Sequence, residues 1–298
     1  MNKYRCLFLI VVTATLTMGL VFSAASDFES DSEKIKIFVS ILPQAYFVER
    51  IGGEHVDVDV MVGPGQSPAT YEPTPHQMSD LEHTEIYFRI GVPFENQMLR
   101  KIHEIFRKLD MVDCQDNIEL RRMADMAGHE DHGHGAYDPH TWLDPVAAIT
   151  ISQNIYEALV RHDSTHKDEY KNNLDSLLAD LDNLHREIAA MLEPYAGRRF
   201  FVFHPVYGYF ADRYNLRQTA VEVEGKEPSA RQLAQFIDIA GEDSIAVIFV
   251  QPQFSTKTAE IIARSIGGSV VKIDPLAVDY IENLRNIAFR LAEGLDKK

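Results

Sequence analysis

One uninterrupted apolar stripe runs down the middle of this chain: Tyr170, Leu174, Leu177, Leu178, Leu181, Leu184, Ile188, Met191 and Leu192. Steps of three and four residues keep these side chains on one helical face. Thr165 and Asp168 fit a capping box at the start and Pro194 marks the end, so the spacing predicts one helix within 164–194. Roughly 28 helical residues at about 1.5 Å each span ~42 Å, enough to cross a whole domain. What precedes and follows such a helix has to pack against its two ends.

On both sides the chain alternates short apolar runs with helical periods. Before the helix, strands are expected at 34–41, 56–62 and 86–90, with helices at 44–51, 74–83 and 94–109. A helix at 147–161 then leads into the long one. Beyond it, strands are expected at 200–203, 218–223, 246–250 and 270–273, with helices at 229–240, 256–265 and 279–295. This order predicts parallel sheets with crossover helices. The expected organisation is an α/β lobe over 26–163, the linking helix over 164–194 and a second α/β lobe over 195–298. Residues 123–137 are Gly- and His-rich without apolar periodicity and read as a loop.

The first 25 residues read as a cleaved signal peptide. Lys3 and Arg5 form a basic start, 7–22 is mostly apolar, and Ser23-Ala24-Ala25 offers small residues for cleavage. Cys6 lies in the basic start rather than after the apolar run, so no lipid-attachment motif is present. An exported, soluble, periplasmic protein is expected. Cys114 is then the one cysteine left, which excludes an intramolecular disulfide and a multi-thiolate metal site. The net charge of −16 becomes more negative once Lys3 and Arg5 are removed, which argues against nucleic acid as a partner and suits attraction of cations.

Three apolar stretches end in metal-competent side chains: Asp138-Pro139-His140-Thr141-Trp142-Leu143-Asp144-Pro145, Phe200-Phe201-Val202-Phe203-His204-Pro205 and Val270-Val271-Lys272-Ile273-Asp274-Pro275. Ligands of open α/β sheets bind beyond the carboxyl ends of the strands. His140, His204 and Asp274 could therefore meet in one cleft, and two imidazoles with a carboxylate suit a zinc-like ion. Asp274 could instead cap the turn that follows it. His129, His132 and His134, with Glu130 and Asp131, form a tract suited to weak, flexible metal binding or simply to a solvated loop. No His-Glu-x-x-His, Gly-x-Ser-x-Gly, P-loop or Gly-x-Gly-x-x-Gly occurs, and no general base is placed beside the candidate ligands. Binding rather than catalysis is expected.

The chain resembles the solute-binding proteins of zinc/manganese ABC transporters, the ZnuA/TroA type. The resemblance runs from about Lys34 to Leu295. It is carried by 63–75 (Gly-Pro-Gly-Gln-Ser-Pro-Ala-Thr-Tyr-Glu-Pro-Thr-Pro), by 138–145, by Phe203-His204-Pro205 with Tyr207-Gly208-Tyr209-Phe210, by 224–228 (Glu-Gly-Lys-Glu-Pro) and by Asp274-Pro275-Leu276. It implies two Rossmann-like lobes joined by a rigid helix, with the metal in the cleft between them. It also implies a non-enzymatic carrier that acts with a permease and its ATPase, expected to be a monomer. Its pattern departs at Ala69, where the family usually carries a histidine ligand. Gln66, a water, or His76 or a loop histidine could take that place. An imidazole at 204, where manganese-preferring members tend to carry a carboxylate, points to Zn2+ over Mn2+. A metal-linked surface adhesin and a secreted zinc-dependent hydrolase remain alternative readings.

Overall fold

The computed structural model describes residues 34–123, 137–221, 229–242 and 246–296. The first sheet is built from β1 (Ile35–Ile41), β2 (Val56–Val62), β3 (Ile86–Arg89) and β4 (Asp110–Asp113), all parallel, in the order β2-β1-β3-β4. Between its strands lie α1 (Leu42–Gly52), α2 (Pro75–Asp80) and α3 (Glu95–Ile105). The second sheet repeats this pattern with β5 (Arg199–Val202), β6 (Arg217–Ala220), β7 (Val247–Val250) and β8 (Ser269–Lys272), ordered β6-β5-β7-β8 and again parallel. Its helices are α6 (Gly208–Arg213), α7 (Ala230–Glu242) and α8 (Lys257–Ser265). Joining the halves are α4 (Pro145–His162) and α5 (Lys167–Leu192), and α9 (Tyr280–Asp296) ends the chain.

Burial explains the strand pattern. β7 reads Val-Ile-Phe-Val and is buried throughout, as a central strand covered on both faces should be. β2 sits at a sheet edge and alternates, turning Asp57 and Asp59 away from the core, which blunts the exposed edge. The sequence did not suggest β4, whose four residues Asp-Met-Val-Asp are all half-buried and carry two charges. It did not suggest α6 either, which is only six residues long.

The long helix α5 is 26 residues, about 39 Å at the usual rise, and tightens into a 3-10 turn at Glu193–Tyr195. Tyr170, Leu174, Leu177, Leu181, Leu184, Ile188 and Leu192 form its buried stripe. The capping box expected at Thr165 and Asp168 does not form, because the helix starts later, at Lys167. There the Asp163 carboxylate gathers the donors instead: Thr165 N at 3.0 Å, the Tyr170 hydroxyl at 2.8 Å and His166 Nδ1. α5 packs against α1 and α4 on the first lobe and α9 on the second. Arg50–Asp180 (2.7 Å) and Arg285–Glu187 (2.9 Å) pin it from either side.

The main core is continuous across both halves. It joins β1, β3, α1, α4 and α5 with Phe200, Val202, Val247 and Phe249 on one face of the second sheet and with Ile287 and Leu291 of α9. The alternate residues Phe201, Phe203, Ile248 and Val250 face the other way and pack with Ala259 and Ile262 in a separate cluster.

Candidate metal centre

In both sheets the first strand of the lobe lies inside the order, so successive connections leave it in opposite directions. The switch points fall between β1 and β3 and between β5 and β7. Ligands of doubly wound sheets bind at such points, outside the carboxyl ends of the strands. A cavity of about 190 Å³ lies there. Gly91, Val92 and Pro93 after β3 line one side, His204 and Val206 after β5 and Gln251 after β7 line the other, and His140 and Trp142 complete it.

His140 is held by the segment that leads into α4. Asp138, 1% exposed, accepts from the His140 backbone N–H (3.0 Å) and from ring Nδ1 (2.6 Å). This pairing places the proton on Nδ1 and leaves the Nε2 lone pair for a metal, the arrangement in which a carboxylate orients a ligating imidazole. Burial pushes the imidazole below its usual range, while the Asp138 hydrogen bond and charge pull it back up and His204 lowers it further. The net shift keeps it neutral, the form a metal needs. The segment is tied down along its length. Gln115 Nε2 donates to Pro139 O and Thr141 Oγ1, both at 3.0 Å. Trp142 Nε1 donates to Pro275 O at 2.9 Å, the Tyr280 hydroxyl to Trp142 O at 2.6 Å, and Arg213 grips Asp144 at 2.7–3.0 Å. Three of these partners belong to the second lobe.

His204 follows β5 by two residues, after Phe203. Gln251, at the end of β7 and 1% exposed, holds its backbone in a reciprocal pair: His204 N donates to Oε1 (3.2 Å) and Nε2 donates to His204 O (2.8 Å). The ring packs on Phe254, with centroids 5.0 Å apart. The His140 and His204 centroids are 5.8 Å apart at 81°. Two imidazoles sharing a tetrahedral ion at ~2.0–2.1 Å per nitrogen would have centroids about 5 Å apart. The two rings stand close to that geometry.

The other expected ligands are placed differently. Asp274 does not line the cavity; its Oδ1 accepts from Leu276 N (3.0 Å) and Gln253 Nε2 (3.2 Å), so it caps the turn leading towards α9. Gln66 turns its amide oxygen back onto its own loop, accepting from Gly63 N at 2.9 Å, and Ser67, Pro68 and Ala69 face the cavity instead. His76 is 88% exposed on α2 and pairs with Asp80 one turn on, at 2.6 Å. His129, His132 and His134 lie outside the described residues. Among the described residues no group of three or more His, Cys, Asp or Glu side chains gathers for a metal.

Sequence reasoning did not single out Asp138 or Gln251 as supports. Their signals are the Asp-x-His spacing of 138–140 and a polar residue directly after a fully buried strand. It also missed Glu95, buried beneath the cavity wall. This carboxylate accepts from Ile90 N (2.9 Å), Gly91 N (2.8 Å) and the Ser40 hydroxyl, and so fixes the 90–93 turn. Burial raises it to about 7, against the lowering effect of those hydrogen bonds. Gly91 at the turn has φ 80°, and a Cβ there would come within 2.5 Å of Gln115 Oε1, so the position requires glycine.

Residues 37–294 match the family described as zinc-uptake complex component A, periplasmic (ZnuA). Relatives include the high-affinity zinc uptake system protein ZnuA of Bacillus subtilis, 28% identical over 260 residues that cover 83% of this chain and 80% of that protein. The zinc-binding lipoprotein AdcA of Streptococcus pneumoniae is 24% identical over 87% of this chain but only 53% of its own, so the chain spans about half of that relative. A crystal structure of ZnuA matches with a TM-score of 0.83 at 39% identity, covering 89% of this chain and 100% of its own. The laminin binding protein Lmb of Streptococcus agalactiae, described as having adhesin and metal-transporting activity, matches at 0.75 and 24% identity, covering 89% and 100%. At that identity it shares the fold alone.

Proposed function

The chain belongs to the zinc-uptake complex component A family, and from that premise we propose that it captures a zinc ion outside the cytoplasm and delivers it to an ABC permease and its ATPase. The family is a binding component of metal transport, not an enzyme. The observation that carries the reading is the pairing of His140 and His204 across one cleft, each held by a buried partner. His140 would ligate through Nε2 and His204 through its ring. Asp274 would add a carboxylate once its side chain turns away from Gln253. Nitrogen ligands favour zinc over manganese.

Export through a signal peptide at 1–25 and a periplasmic location belong to the same proposal, as do the two lobes at 26–163 and 195–298. The loop histidines 129, 132 and 134 would bind zinc weakly. An adhesin role rests on relatives that share the fold alone, so the carrier reading stands ahead of it.

Calorimetric titration of the mature chain should show one tight zinc event. His204→Ala should weaken it at least ~10-fold, a loss that even indirect partners of a metal can cause, whereas His76→Ala should leave it unchanged. Tight binding that survives His140→Ala together with His204→Ala would put the zinc elsewhere.

A further inference from the structure

One short turn touches two of the proposed ligands. After β7 the chain runs Gln251-Pro252-Gln253-Phe254, closed by Phe254 N donating to Gln251 O at 3.1 Å. Gln251 pairs with the His204 backbone, and the Phe254 ring packs on the His204 imidazole. Gln253, between them in the turn, donates through Nε2 to Asp274 Oδ1 at 3.2 Å.

Asp274 has a fixed backbone and a side chain held by one oxygen. Asn283 Nδ2 on α9 donates to its carbonyl at 2.7 Å, and Leu276 N donates to Oδ1 at 3.0 Å. Gln253, Pro275 and Leu276 line the cavity, whereas Asp274 does not. The amide at the wall thus has the carboxylate in its grip. Rotation between staggered side-chain wells moves the carboxylate oxygens without moving the backbone that Asn283 holds. For zinc, the bond to Gln253 is a cost. Apparent affinity falls by the fraction of molecules in the competent arrangement.

We infer that Gln253 is a latch: it keeps Asp274 parked until zinc reaches His140 and His204, and takes the carboxylate back as zinc leaves. This rests on the reading of the site as a zinc carrier and adds how its carboxylate is exchanged. The signature is an inverted sign, because removing a polar side chain from the site strengthens zinc binding. A hydrogen bond to a charged group shifts an equilibrium by about a decade or more, and Leu276 N still holds Oδ1 once Gln253 is replaced, so the low end applies.

The test measures zinc affinity of the mature chain by competition with a chelating dye in the parent, Gln253→Leu, Asp274→Ala and the double variant. Leucine keeps bulk at the wall and removes the donor; Gln253→Ala is run beside it, so that a folding defect in one leaves the other to decide. Gln253→Leu should bind zinc about 10-fold more tightly than the parent. Asp274→Ala should bind at least ~10-fold more weakly, and adding Gln253→Leu to it should change nothing, because the latch acts only through that carboxylate. Unchanged or weaker binding in Gln253→Leu overturns the inference, and weaker binding would make the amide a support that presents the carboxylate to the metal. Tightening that persists in the Asp274→Ala background overturns it as well, since leucine would then act elsewhere in the cleft. Asp274→Ala binding like the parent removes Asp274 from the site and the inference with it, while the carrier reading on His140 and His204 stands. Absence of zinc binding by the parent overturns the carrier reading and the inference together.

Discussion

Replacing Asp138 with asparagine measures how much zinc affinity resides outside the ligands themselves. Oδ1 of Asp138 accepts from the His140 backbone N–H at 3.0 Å and from Nδ1 at 2.6 Å, and Oδ2 faces Arg121 Nη1 at 3.5 Å. Asparagine keeps the shape but removes the charge and turns one oxygen into a donor. If its carbonyl stays on His140, its amide N–H₂ meets the Arg121 guanidinium, donor against donor. If it flips, Nδ1 loses its acceptor and the imidazole can move its proton onto the nitrogen that should hold the metal. Loss of such a partner costs about 10–100-fold in metal affinity, or about 1.4–2.8 kcal/mol at about 1.4 kcal/mol per decade.

Asp144→Asn is the control. Asp144 is also buried and lies in the same segment, but it accepts from Arg213 (2.7 Å) and Val146 N (2.9 Å) and touches neither imidazole. Both substitutions should lower the melting temperature of the zinc-free chain, since a hydrogen bond to a charged group contributes about 1.5–3 kcal/mol. Only Asp138→Asn should lose a decade or more of zinc affinity in competition with a chelating dye. Equal losses in the two variants, or none in either, would refute the argument that Asp138 acts through the ring of His140.

Two further outcomes follow from buried groups that do not themselves line the cleft. Glu95 is pushed up to about 7 from its ordinary 4.5, so its folded form holds a proton more tightly than the unfolded chain does. Its contribution to stability is complete below about 4.5 and is lost as the pH rises through 7, a swing of order 3 kcal/mol at ~1.4 kcal/mol per unit; denaturant titrations at pH 4 and 8 should show this loss in the parent, and a flatter profile in Glu95→Gln. Cys114 is fully buried beside Gln44, and burial drives its thiol far above the usual range. In a Cys6→Ser background iodoacetamide should label Cys114 only as fast as the chain unfolds, and rapid labelling of the native protein would contradict that burial.

The fold was legible where periodicity was strong. Runs such as Val247–Val250 and the stripe from Tyr170 to Leu192 report burial through composition alone, because a face hidden from water has to be apolar over its whole length. Edge strand β4, with Asp110 and Asp113 at its ends, has too little buried surface to leave that mark. In the site, His204 could be picked out because it ends an apolar run just before a proline, and His140 because it lies between two prolines near the one tryptophan. The orientations of Gln66, His76 and Asp274 could not. Each is decided by a local hydrogen bond to a neighbour in its own loop, helix or turn, and several such bonds of similar strength compete at every exposed polar residue.

The continuous core bears on how the proposed zinc cargo would enter and leave. Residues of both sheets share one apolar interior, and Trp142, Tyr280 and Arg213 stitch the seam beside the cleft. Opening that seam would expose side chains such as Phe200, Val202 and Leu291 to water, each at about 1.5–3 kcal/mol. A wide jaw-like swing of the two halves would therefore carry a large cost in exposed apolar surface. Exchange of the proposed zinc cargo would fall to the rim, where 63–70 and 253–255 carry no buried side chains. On the proposed carrier reading, release would wait on the lifting of a short piece of rim, and a permease would act on one loop while the body of the protein stays rigid.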